Sequence, residues 1–217
     1  MKNSDNRREM IERIKNQFSS AYLTLISLIE ASIFGFLIYN FNDKLMPMSS
    51  FTLNNVVIFC EYTTAFLIVV IVWGEFAMGS MTFRWIPGIA DPFIPFLIGL
   101  AQIGAICSID YELSSQWLFA LASICALSLW AYRNMYQKSE KNKEDNEIVL
   151  AVLNKWGKIN YTITGTLAGI LIIAGIFISI YSSKWLNITI SCLICIAAIL
   201  YISKCYLYWK AINKALE

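Results

Sequence analysis

Residues 73–99 read WGEFAMGSMTFRWIPGIADPFIPFLIG, and this stretch decides how the chain is organised. Glu75, Arg84 and Asp91, together with Pro87, Pro92 and Pro95, stand between two long apolar segments. In hydrocarbon, charge and broken backbone are tolerated only where they are buried in protein or face water. The stretch therefore reads as the end of one membrane-crossing helix, a turn at the boundary built by Trp85, Ile86, Pro87 and Gly88, and the start of a helix interrupted by Pro92 and Pro95.

Outward from this hairpin the chain is apolar. The hydrophobic fraction is 58% and the charged fraction 15%, against about 45–50% and about 25% for soluble domains. Apolar runs cover roughly 20–41, 54–82, 91–109, 114–135, 160–182 and 186–208, each near the length of about 20 residues that a bilayer requires. The expected fold is all-α, a polytopic bundle of six spans. The run at 91–109 admits a second reading, a re-entrant or tilted half-helix, because of its prolines. Four spans would follow if two segments failed to cross.

Lys and Arg in short flanking loops set orientation. Lys2, Arg7, Arg8, Arg13 and Lys15 precede the first span, Arg84 lies in the second connection, and Arg133, Lys138, Lys141, Lys143, Lys155 and Lys158 surround the fourth. Lys204, Lys210 and Lys214 accompany the end of the last span, while the opposite loops carry only Lys44 and Lys184. Both termini are expected in the cytoplasm, and the chain in a bacterial inner membrane. No cleavable signal is evident, so the first span serves as the insertion signal.

This organisation divides the chain into an amphipathic arm (1–18, with Met10, Ile11, Ile14 and Phe18 at helical spacing), a four-span block (19–135), a cytoplasmic loop (136–158), a two-span hairpin (159–209) and a tail (210–217). Within the loop, Ile148, Ala151, Val152, Lys155 and Trp156 would share a helical face. Gly165 and Gly169 have the small-xxx-small spacing that lets helices approach closely, which points to packing against the sixth span, with self-association as the alternative. All six cysteines fall in or beside spans and read as small buried hydrophobes rather than a disulfide framework, although Cys192 and Cys195 have redox-motif spacing. Trp and Tyr at span ends, Tyr111, Trp117, Trp130, Tyr181, Trp185, Tyr208 and Trp209 among them, read as interfacial anchors.

Four carboxylates lie within or at the edges of spans: Glu30, Glu61, Glu75 and Asp91. A charge at the centre of a span costs at least about 2.5 kcal/mol, so each must be neutral, paired or facing a wet cavity. Glu61 and Glu75 share a face of the second helix about 21 Å apart, with Thr64, Ile68 and Val72 between them. Arg84 is expected to pair with Glu75 or Asp91, since a guanidinium forks two carboxylate oxygens and stays charged when partly buried. The alternative is a proton or ion path through Glu30, Glu61 and Glu75.

The chain contains no histidine, which excludes His-based triads and His-ligated metal sites. No Walker loop, GxGxxG or GxSxG is present. Lysines in the fourth connection alternate with acids, which argues against nucleic-acid binding. Neither enzymatic activity nor a cofactor or metal is expected.

Arg84, Trp85, Pro87, Asp91, Pro95, Phe96 and Gly99 form the pattern R-W-x-P-x-x-x-D-x-x-x-P-F-x-x-G. With LTLISLIEASIFGFL of the first span, this block resembles a group of small bacterial multi-span membrane proteins. In size and all-membrane layout the chain also resembles the membrane subunits of the Kiwa anti-phage defence system. That resemblance implies an inner-membrane sensor working with a separate soluble cytoplasmic effector. The expected role is thus a homo-oligomeric sensor or scaffold that docks its partner through Lys138, Lys141 and Lys143, with an ion channel or proton-coupled transporter as the alternative.

Overall fold

A computed structural model describes residues 2–45, 52–110, 112–181 and 183–217, with the side chains among them except those of residues 2–8, 45 and 216. Tyr111 and Ser49 lie outside the described residues, as do the side chains of Lys2, Arg7 and Arg8 in the arm. The described residues form six helices and no strand: α1 (Lys2–Leu45), α2 (Leu53–Thr82), α3 (Ala90–Cys107), α4 (Ser115–Lys141), α5 (Lys143–Ile180) and α6 (Lys184–Leu216). All six are long and apolar enough to cross a membrane. Leu28, Leu100, Ile173 and Leu200 are each more than 60% exposed, which is the outward surface of a protein solvated by lipid rather than water. The chain is a multi-pass membrane protein.

The helices close into a ring in the order α1, α2, α6, α5, α4, α3. Antiparallel neighbours are marked by Ser27 against Trp73 (α1 with α2) and Tyr136 against Asn154 (α4 with α5). α2 and α6 run parallel, with Cys60 Sγ 3.8 Å from Cys192 Sγ. Both termini, the 83–89 connection and the turn at Asn142 thus gather at one end of the ring, called here the termini end.

The expected six helices are present; this architecture removes one alternative and corrects two expectations. First, α3 is one continuous helix of 18 residues, long enough to rise about 27 Å, not a broken half-helix. Pro92 falls in its first turn, where its missing N–H is no loss, and Pro95 removes a single bond. Second, residues 136–158 are not a loop but the tip of an α4–α5 helical hairpin that reverses at Asn142. The tip buries Asn146, Val149, Leu150 and Leu153, one step around from the expected face, and leaves Ile148 and Ala151 exposed. Third, α5 and α6 are not a separate two-span unit: α5 packs chiefly on α4, and α6 on α2.

The glycines explain part of that packing. A Cβ on Gly99 would lie 2.9 Å from Ile29 Cγ2, and one on Gly175 would lie 2.7 Å from the Phe119 ring, so these two positions hold α3 against α1 and α5 against α4. Gly165 faces Leu129 of α4 rather than α6, and Gly169 faces open space. Two apolar cores result. One fills the membrane depth around Ile58, Ile98, Trp117 and Leu118. The other sits at the termini end, where Tyr22, Phe83, Trp85, Leu153, Tyr208 and Ile212 meet.

Candidate functional site

Residues 83–88 after α2 form no helix, Phe83 is extended, and the chain turns into α3 where the Asp91 N–H donates to the Gly88 carbonyl at 3.1 Å. Such a segment exposes its backbone polar groups, which must find partners when covered. Asn146, 1% exposed, supplies them: its Oδ1 accepts from the Arg84 N–H at 2.9 Å and its Nδ2 donates to the Arg84 carbonyl at 2.8 Å. The same amide also donates to the Asn142 carbonyl at 2.9 Å. One side chain thereby ties the α2–α3 connection to the α4–α5 turn. Trp85 seals the contact from the other side, edge-on to Phe18 and Tyr22.

Asp91, 2% exposed, is the electrostatic centre of this clasp. It accepts from the Gly88 N–H at 2.6 Å, Asn134 Nδ2 at 3.0 Å and Lys138 Nζ at 2.5 Å. Its cation is therefore Lys138 of α4 and not Arg84, whose side chain is exposed and forms no ion pair among the described residues. Geometry decides this: the backbone, extended at Phe83, buries Phe83 and Trp85 and turns Arg84 outward, since alternate side chains point to opposite sides. Lys138, expected as a docking residue, is occupied internally. Lys141 and Lys143 remain exposed.

The three deeper carboxylates occupy three separate environments. Glu30, 5% exposed, accepts from Gln102 Nε2 of α3 at 3.2 Å. Glu61, fully buried near the opposite end, accepts from the Asp110 N–H at 3.2 Å. The carbonyl of that same peptide, on Ile109, accepts from Lys44, so one peptide plane separates a cation from a carboxylate. Glu75 lines a cavity of about 90 Å³ at the termini end, walled by all six helices and sharing Tyr22, Trp85 and Asp91 with the clasp. Its Oε2 accepts from Tyr132 at 3.4 Å, and Tyr132 in turn accepts from Asn160. Glu75 is outside ion-pair distance of Arg84 and of every other described cation. Glu61, Thr64 and Val72 do line the inward side of α2, but neither Glu30 nor Glu61 opens onto the Glu75 cavity.

Sequence reading found the carboxylates because hydrocarbon makes each one conspicuous. It missed Asn134, Asn146 and Asn160; for the first two, the four-residue spacing from Lys138 and Asn142 was the available signal. The cysteines are all free thiols, and Cys192 approaches Cys60 across helices. Among the described residues no cluster of His, Cys, Asp or Glu has the geometry of a metal site. Comparison of the chain with protein-family models, with curated proteins and with solved structures gives no match.

Proposed function

We propose that the chain is a non-enzymatic sensor or scaffold of the bacterial inner membrane, with both termini cytoplasmic, which recruits a soluble effector to its cytoplasmic face. The supporting observation is the contact between Lys15 and Asp145, 2.6 Å apart, which joins the N-terminal arm of α1 to the α4–α5 tip. With the Asn146 clasp, it turns two expected loose segments into one platform carried by the membrane helices. Met10, Ile14 and Ile148 stay exposed on these segments, as do Lys141 and Lys143 among acidic residues, a mixed apolar and charged surface suited to a protein partner. The resemblance to Kiwa membrane subunits supports a role in anti-phage defence with such an effector, and a homo-oligomeric assembly.

Lys141→Glu with Lys143→Glu should abolish co-purification of the effector while insertion and thermal stability are kept. Raising salt should weaken the wild-type complex, because exposed charges are screened over about 8 Å at physiological ionic strength. If instead Glu30→Gln or Glu61→Gln removes an ion flux in liposomes and the lysine variants change nothing, the transporter reading replaces this one.

A further inference from the structure

The interior of the ring is not filled where α2, α4, α5 and α6 face one another. A chamber of about 380 Å³ lies there, walled by residues such as Ile68, Leu121, Leu171, Ile194 and Ala198. It is within the size range of small-molecule sites, about 300–1,000 Å³. Ile170 of α5 and Leu193 of α6 line it and are 55% and 59% exposed, so it opens sideways to the bilayer. That opening falls between the ring neighbours with the sparsest mutual packing. Towards the termini end the chamber runs into the Glu75 cavity, with which it shares Ile71, Val72, Ser128, Thr164 and Tyr201.

The polar end has an unbalanced hydrogen-bond inventory. Asn160 donates to Tyr132, and Tyr132 and the Cys205 thiol donate to Glu75, which still leaves Asn160 Oδ1 and Glu75 Oε1 buried as acceptors without a donor. Asn160 is 1% exposed. Two orphaned acceptors, one of them a carboxylate with no ion-pair partner, call for a group with several donors and positive charge. An ammonium has three donors and no acceptor, whereas a hydroxyl has one donor. Trp85, Tyr132 and Tyr201 on the walls add aromatic rings, whose faces suit a cation. Lys204, whose charge acts on Glu75, stays beyond ion-pair distance of it: its ammonium lies over the Tyr201 ring, 4.0 Å from the centroid, and it does not line the cavity. Water could satisfy the two acceptors, but it does not fill an apolar chamber.

We propose that this composite cavity binds a single-chain amphiphile with an ammonium head, entering from the bilayer between α5 and α6. The chain occupies the apolar chamber and the head sits between Glu75 and Asn160. The site is separate from the docking platform and does not rest on that role.

The test uses full-length protein in glyco-diosgenin, which has no alkyl chain to compete, with dodecylamine, dodecanol and dodecanoate as probes. Native mass spectrometry should show one dodecylamine per chain, held about tenfold more tightly than either other probe. Glu75→Gln should reduce dodecylamine to the level of dodecanol. Ala198→Trp, or Ala174→Leu where the first does not melt cooperatively, should weaken all three. Equal binding of the three head groups, or dodecylamine affinity unchanged by Glu75→Gln, would overturn the proposal.

Discussion

Asp91 and Lys138, 2.5 Å apart, join the first turn of α3 to the last turn of α4. The carboxylate is 2% exposed and the ammonium 20%, so water reaches only one partner. Removing the cation strands a buried anion, which costs far more than losing an exposed pair. Lys138→Met should therefore lower stability in detergent by about 3–5 kcal/mol. Arg84→Ala should stay within about 0.5 kcal/mol, as for other exposed side chains. A coupling energy near zero in the Asp91→Asn, Lys138→Met cycle would show that the two groups act independently.

Asn146 should behave as a structural pin. Asn146→Leu leaves the partly buried Arg84 backbone without its partners, at a cost of about 1–3 kcal/mol. Hydrogen exchange at the Arg84 amide should accelerate in this variant while amides in the middle of α2 are unchanged. Uniform acceleration along the whole chain would point to global unfolding instead.

Glycine substitutions should separate close packing from mere sequence pattern. Gly175→Ala drives a methyl into Phe119, and Gly99→Ala drives one into Ile29, each costing about 1–3 kcal/mol. Gly169→Ala meets nothing and should gain about 0.5–1 kcal/mol from helix propensity. Thermal melts of the three variants decide the matter, and equal losses at all three would contradict the ring packing.

Topology can be read by labelling single cysteines in a background lacking the six native ones. Residues at Glu112 and Ser183 should label from one side of the membrane, outside, and Asn142 from the other. Labelling of Asn142 from outside would invert the proposed orientation.

The parallel arrangement of α2 and α6 predicts an oxidative cross-link. Copper phenanthroline should join Cys60 to Cys192 within one chain, since their sulfurs are already 3.8 Å apart. Cys107 should not enter an intramolecular bridge. A bridge from Cys192 to Cys107, which lies on α3 across the ring from α6, would be incompatible with the ring order.

The number of helices and their apolar membrane-depth segments were legible because hydropathy over twenty residues is a property of the local chain. Burial of Glu30, Glu61 and Asp91 was legible for the same reason: each carboxylate sits in an apolar run. Their partners were not. Arg84 was the nearest cation to Asp91 in sequence, but the alternation along 83–85 turns it away, and the ammonium comes from α4. Gly165 and Gly169 fitted a packing pattern that Gly99 and Gly175 perform, because spacing along one helix does not say which side meets a neighbour. The asparagines carry little hydropathy signal, and their roles emerge only when helices distant in sequence are brought together.

Ring closure through α6 has a consequence for biogenesis. Helices leave the ribosome in chain order, at about 5–20 residues per second, yet α6 is the neighbour that covers α2 and completes the wall around Glu75. For the seconds needed to make α3, α4 and α5, the second helix waits in the bilayer with its carboxylate side uncovered. A nascent chain halted before Lys184 would present that side to lipid, where membrane quality-control proteases can recognise it as an unfinished product.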